Sequence, residues 1–213
     1  MNTENYINQE QLLPQSGNYI TANYDDASIT VYQAFKPEIA HYAIVNQTFG
    51  GPAFSFRRMT WIKTNFLWMM YRAGWAEKIN QERILAIRLT LEGFERILKS
   101  STHATFEPKV YTTKEKWKEA LEKSEVRLQW DPSHDPFGNK MERKAIQLGI
   151  KGDMVKAYCN EWIISIEDIT SFVKEQKRIL DIEGEEKLII PQEKIWIPSS
   201  EGLIDHLDLS SDR

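Results

Sequence analysis

A single cysteine, Cys159, in 213 residues excludes an intrachain disulfide. It fits a reducing compartment, so a cytoplasmic location is expected. Long apolar runs are also missing. The longest, around Phe66 to Tyr71, falls far short of the roughly 20 residues that cross a bilayer. The opening MNTENYINQEQLLPQSGNY has no basic stretch ahead of an apolar one, and no secretory leader is expected. An excess of positive charge is absent: the formal net charge is −4, which argues against non-specific attachment to long duplex DNA. The phosphate and nucleophile signatures GxxxxGK followed by Ser or Thr, GxGxxG and GxSxG do not occur. That disfavours kinase, P-loop, dinucleotide-dehydrogenase and α/β-hydrolase chemistry. The four histidines (His41, His103, His134, His206) are dispersed and no Cys pair exists, so no metal site is expected.

What is present is a globular composition, 41% hydrophobic and 27% charged, in a chain long enough for one substantial core. Its densest feature is FSFRRMTWIKTNFLWMMYRAGW, residues 54–75, where Trp61, Trp68 and Trp75 interleave with Arg57, Arg58, Lys63 and Arg72. Cations held against aromatic walls suit phosphate or nucleotide recognition, because guanidinium forks match phosphate oxygens and an indole face stacks a base or nicotinamide ring. The alternative is a tryptophan core whose edges are covered by snorkelling arginines. Residues 54–88 carry seven Lys or Arg against two acids, whereas residues 181–213 carry nine acids against three bases. A basic middle and an acidic tail imply a localised anion site, or two regions that neutralise one another.

Alternation predicts a strand over SITVYQAF (28–35) and another over 54–63, which would put Arg57, Met59, Trp61 and Lys63 on one face. A helix is expected from Pro37 to about Gln47, and another after a Thr64 N-cap, with Trp68, Arg72 and Trp75 in one stripe. Further strands are expected at 84–90, 126–130, 145–150 and 162–166. Helices are expected at 91–99, after a Thr112/Glu115 capping box, after Gly152 and near Asp168. DPSHDPFGNKMER (131–143) reads as a loop. The pattern implies a single α+β domain with a mixed, largely antiparallel sheet, continuous or split, and flanking helices. Residues 1–27 read as an N-terminal arm, 28–180 as the domain and 181–213 as an acidic extension.

Chemistry-bearing candidates lie on these elements. Gln33 on the apolar face of the first strand must find hydrogen-bond partners, from a ligand or from the protein, beside Tyr32. Gln147 poses the same question, and Gly149 next to it would allow close approach of a ligand to the backbone. Asp131, His134 and Asp135 could bind a metal, exchange protons or simply build a turn. Glu161, Glu167 and Asp168 surround a late strand, where a carboxylate can stabilise a cationic transition state, although Asp168 also suits a helix cap. Cys159 reads as buried and inert.

The block RMTWIKTNFLWMMYRAGWA, with VYQAF before it and QWDP and IQLGI after it, resembles an uncharacterised family catalogued as domain of unknown function 4291, over about residues 28–180. Thr64 and Asn65 stand where the family pattern has Pro-Ser, and Ala73 stands for a serine. That family brings no established activity. A second, fold-level likeness is to the ADP-ribosyltransferase superfamily, which holds NAD in the cleft of a split sheet. It implies Tyr32 or Gln33 in the early-strand role, Trp61 or Tyr71 stacking the nicotinamide, and Glu167 or Gln147 assisting transfer. Taken together, the expected function is a nucleotide- or NAD-binding transferase whose phosphate site comprises Tyr32, Gln33, Arg57, Arg58, Trp61, Lys63, Arg72 and Trp75. Alternatives are a non-catalytic module for RNA or another single-stranded nucleic acid, or an interaction domain using the acidic tail.

Overall fold

Two runs with apolar residues at alternate positions, Ser28–Phe35 and Arg83–Thr90, pair antiparallel along their whole length, from Ser28 opposite Thr90 to Phe35 opposite Arg83. They form the middle of the fold. A computed structural model describes residues 2–210. In chain order its elements are β1 (Thr3–Asn5), α1 (Tyr6–Glu10), β2 (Gly17–Asn18), β3 (Ile20–Ala22), β4 (Ser28–Phe35), α2 (Pro37–Asn46), β5 (Thr60–Lys63) and α3 (Phe66–Ala73). Next come β6 (Arg83–Thr90), α4 (Leu91–Lys99), β7 (Ser101–His103), α5 (Lys114–Lys123), β8 (Val126–His134), β9 (Lys140–Ile150) and α6 (Gly152–Ala157), which runs into a π-helical turn at Tyr158–Trp162. The chain then forms β10 (Ile163–Asp168), α7 (Thr170–Glu183), β11 (Ile189–Pro191), β12 (Lys194–Trp196) and α8 (Glu201–His206).

The main sheet has the order β10-β6-β4-β5-β9-β8-β7, with β2 added beside β9. Among the described residues only the β7–β8 and β2–β9 pairs are parallel, so this is a single α+β domain with a mixed, largely antiparallel sheet. Successive residues of β4 and β6 enter different cores. Ile29, Val31, Leu85 and Ile87 join Phe94, Ile97, Leu98 and Tyr158 on one face. Tyr32, Ile84 and Ala86 join Phe66, Met70, Val173 and Ile190 on the other. Helices therefore cover both faces, and both faces of β4 are buried over most of its length. Among the described residues no helix is long and apolar enough to cross a membrane.

The sheet is almost two sheets. β4 and β5 meet at one residue pair, Tyr32 opposite Lys63, and then diverge. The half containing β10, β6 and β4 thus parts from the half containing β5, β9, β8 and β7. This parting creates the cleft described below.

Several local expectations are corrected. Residues 54–59 are irregular, with a turn at 56–58, rather than strand; Arg58 N–H closes that turn on the Ser55 carbonyl at 3.2 Å, so only Trp61 and Lys63 share a strand face. Asn65, not Thr64, caps α3: it has extended backbone geometry and its side chain accepts from Trp68 N–H at 2.8 Å. Thr113 rather than Thr112 caps α5. The expected loop 131–143 is mostly hairpin strand, with β8 running on to His134 and β9 starting at Lys140.

The supposed arm and acidic extension are knit into the fold instead of leaving it. β1 pairs with β11 and β3 with β12. Trp196, Leu203 and Leu207 are buried in the first core, and Glu193 is 4% exposed. Of residues 181–213, the last three lie outside the described residues.

Candidate functional site

Where β4 and β5 separate, β5 loses a ladder partner and its carbonyls need other donors. Gln33 supplies them. Its amide nitrogen donates to Thr60 Oγ1 at 2.7 Å and to the Trp61 carbonyl at 3.1 Å, and its oxygen accepts from Tyr158 O–H at 2.8 Å. Tyr158 comes from the π-helical turn and is fully buried. Gln33 is therefore the bridge at the apex of the split, and the protein satisfies it. The buried-polar argument found its importance; Tyr158 and Thr60, its partners, carried no comparable sequence signal.

Beyond this bridge the gap opens into a cleft of about 720 Å³, within the range of small-molecule sites. One wall is β4 and its exit, with Ala34, Phe35 and Lys36; the other is Met59, Thr60, Trp61 and Lys63; Met69 and Arg72 of α3 also line it. Gln33, Arg58, Trp61, Lys63, Arg72 and Gln147, six of the ten predicted site residues, all line this one space. None of its lining residues is acidic.

Arg58, Lys63 and Arg72 make no side-chain hydrogen bond or ion pair with the described residues, in contrast to Lys99 with Glu95 and Lys156 with Asp153, and for Lys63 this is notable because it is buried. Lys63 is 5% exposed. Burial, with the Arg72 charge adding to it, brings its ammonium from 10.5 down to about 8, against a weaker pull upward from Asp131. A buried cation beside a like charge is unfavourable without an anion. Arg58 and Arg72 stand at the exposed rim.

The cross-strand register builds the floor. Tyr32, Lys63, Gln147 and Gln129 face one another in turn across β4, β5, β9 and β8. Asp131 clamps two of them, accepting from Gln147 at 2.6 Å and Gln129 at 2.9 Å. Asp131 thus holds Gln147 in place; neither a metal nor a turn explains it. Gly149 lies opposite Trp61. A Cβ at Gly149 would collide with Met59 Sδ and come within 2.9 Å of the Trp61 ring. The glycine therefore makes room for the protein's own indole, which lies half-buried against β9 at the cleft wall; it is not reserved for a ligand.

The other predicted site residues lie elsewhere. Tyr32 is fully buried beneath the split, edge-on to Phe66 at 5.6 Å, and burial raises its phenol well above the ordinary value, with the Glu193 charge adding to this. Arg57 is exposed and does not line the cleft. Trp75 is 7% exposed and packs edge-on against Phe66 in the second core. It follows the end of α3 with a φ of 53°, so the expected Trp68–Arg72–Trp75 stripe breaks there. Trp68 and Tyr71 stack with His134. Glu167 is exposed on β10, two strands away from the split, where it lines a separate depression with Arg88 and Ser165.

α3, which brings Arg72 to the cleft, is anchored by Glu193 from the far end of the chain. The carboxylate accepts from Phe66 N–H at 2.6 Å and Asn65 Nδ2 at 2.8 Å. Complete burial raises this carboxyl to about 8 despite those donors. Lys36, Asn80 and Gln81 also line the cleft and carry no sequence signal for it, since only the tertiary fold brings them there. Among the described residues no group of three His, Cys, Asp or Glu could hold a metal ion.

The family model described as Domain of unknown function (DUF4291) matches residues 19–196, and the chain belongs to that family. The matched span takes in both walls of the cleft and reaches Glu193, beyond the 28–180 expected from the sequence. No curated protein matches the chain.

Proposed function

We propose that the split-sheet cleft binds a phosphate-bearing nucleotide, with NAD as the leading candidate. One observation carries this: Arg58, Lys63 and Arg72 line a single concavity that has no acidic lining residue, and none of them forms an ion pair with the described residues. Phosphate oxygens are the natural counter-charge for such a set, through charge-assisted hydrogen bonds. The half-buried Trp61 indole offers a stacking face for a base or nicotinamide ring. NAD combines a diphosphate with two flat rings and is of a size such a cleft can take.

A transferase of ADP-ribosyltransferase type is the finer form of this proposal, and it draws support from the split between β4 and β5 as a fold-level analogy. Gln147, oriented by Asp131, is the late-strand residue positioned to assist. Glu167 lies outside the cleft, so transfer in this site would proceed without it.

Calorimetric titration of NAD, ADP and pyrophosphate into the protein and into Arg72→Ala, Arg58→Ala and Arg57→Ala tests the proposal. A hydrogen bond to a charged group contributes about 1.5–3 kcal/mol. Removing Arg72 or Arg58 should therefore weaken binding about tenfold to a hundredfold, while Arg57→Ala behaves as the parent. Equal affinity in all four proteins, or no binding by any, would refute it. Binding of oligoribonucleotides in preference to NAD, with the same Arg dependence, would favour the single-stranded RNA alternative.

A further inference from the structure

We propose that the ε-amine of Lys63 is a carbonyl-reactive nucleophile, which condenses with the aldehyde of a phosphate-bearing ligand, such as a phosphorylated aldose in its open form, to give an imine. The proposal rests on the cleft accepting phosphate, and it adds covalent chemistry that anion binding alone does not require.

The geometry is what a reactive amine needs. Lys63 lies at the floor of an open concavity, at the ladder pair that joins β5 to β4. It is 5% exposed, so its environment is set by the protein rather than by water. No carboxylate among the described residues pairs with it to hold its proton, whereas Lys99, Lys109, Lys156 and Lys177 each have an acidic partner. Desolvation beside another cation is the established way of keeping a lysine neutral enough to attack. An amine titrating at about 8 is ~20% neutral near pH 7.4, compared with ~0.1% for an ordinary exposed lysine. Arg58 and Arg72 at the rim would hold the phosphate of the incoming aldehyde while its carbonyl carbon reaches Nζ.

The reaction is balanced without any redox partner. The nitrogen lone pair forms a C–N bond to the carbonyl carbon, giving a carbinolamine. The former carbonyl oxygen then leaves as water with both amine hydrogens as the C=N bond forms. A lysine that starts as ammonium first releases its extra proton to solvent.

Pyridoxal 5′-phosphate is the probe, added to the full-length protein, followed by borohydride reduction and peptide mapping of the modified lysines. Pyridoxal without its phosphate, pyrophosphate as competitor and the Lys63→Arg variant serve as controls. Pyrophosphate binding is measured by calorimetry on the same samples. We expect Lys63 to be modified at least about tenfold faster than exposed lysines such as Lys78 or Lys123, in line with its larger neutral fraction. Labelling should slow by a similar factor with pyridoxal or with saturating pyrophosphate, and be absent at position 63 in Lys63→Arg. Modification of Lys63 no faster than of the exposed lysines overturns the proposal, as does equal labelling by pyridoxal. If pyrophosphate binds yet Lys63 stays unmodified, the nucleophile is refuted and the anion site stands. If pyrophosphate neither binds nor protects, both are refuted.

Discussion

Replacing Lys63 with methionine should make the ligand-free protein more stable while abolishing its anion binding. The side chain is 5% exposed and forms no ion pair with the described residues, Asp131 exerting only a weaker pull than burial and the Arg72 charge. Its fall from 10.5 to about 8 corresponds to about 3 kcal/mol for keeping the ammonium charged inside the fold at neutral pH. Methionine has similar length and no charge to desolvate, so a gain on the order of 1–3 kcal/mol is expected, after allowance for imperfect packing. In a domain of this size that is roughly 3–10 °C in Tm. The sign with pH follows from the direction of the shift. The folded value lies below the unfolded one, so the penalty is full below pH 8, shrinks between about 8 and 10.5, and vanishes above. Urea denaturation of both proteins across that range should show the variant's advantage closing as pH rises. A variant less stable than the parent at pH 7, or an advantage that does not change with pH, would show that Lys63 is a structural residue. Such a stabilising loss of function is the mark of a site held at the expense of the fold.

Three further outcomes follow from the same geometry. Gln33→Leu leaves the buried Tyr158 hydroxyl and the Trp61 carbonyl without their partner and should cost about 2–4 kcal/mol, read as a lower denaturation midpoint; a change below about 0.5 kcal/mol would show that the bridge is dispensable. Gly149→Ala puts a methyl against Met59 and within 2.9 Å of the Trp61 ring. It should destabilise by about 1–3 kcal/mol and shift tryptophan emission as the indole moves; unchanged emission and stability would contradict the tight seat. Deleting residues 181–213 removes Glu193, Trp196, Leu203 and Leu207 from buried positions, so the truncated chain should lose its cooperative thermal transition by calorimetry; an intact transition would restore these residues to the status of an appendage.

What was legible in the sequence was local. The eight residues of β4 carry their alternation in plain view, and the helix expected at 91–99 is α4, Leu91–Lys99. The basic-aromatic block did locate one wall of the cleft. It could not separate Arg58 from Arg57, because that depends on a turn at 56–58 which breaks the expected strand. Nor could it assign Trp75, which leaves the helical stripe once Gly74 adopts a left-handed backbone. The termini misled because their acidic, Pro-containing composition resembles a tail, whereas the pairings β1–β11 and β3–β12 join residues nearly the whole chain apart. Such long-range pairing leaves no local periodic trace. Gln147 stands out in the sequence as a polar residue in a strand, but its partner Asp131 lies in a run rich in turn formers, and only the β8–β9 register brings the two together.

The most direct measurement is the anomalous scattering of crystals soaked in tungstate, a tetrahedral anion with the shape of phosphate. The account predicts the strongest peak in the parting between β4 and β5, within hydrogen-bonding reach of Lys63 Nζ and of at least one of Arg58 and Arg72. Tungstate confined to exposed lysines and arginines elsewhere, with nothing bound between the two half-sheets, would contradict it.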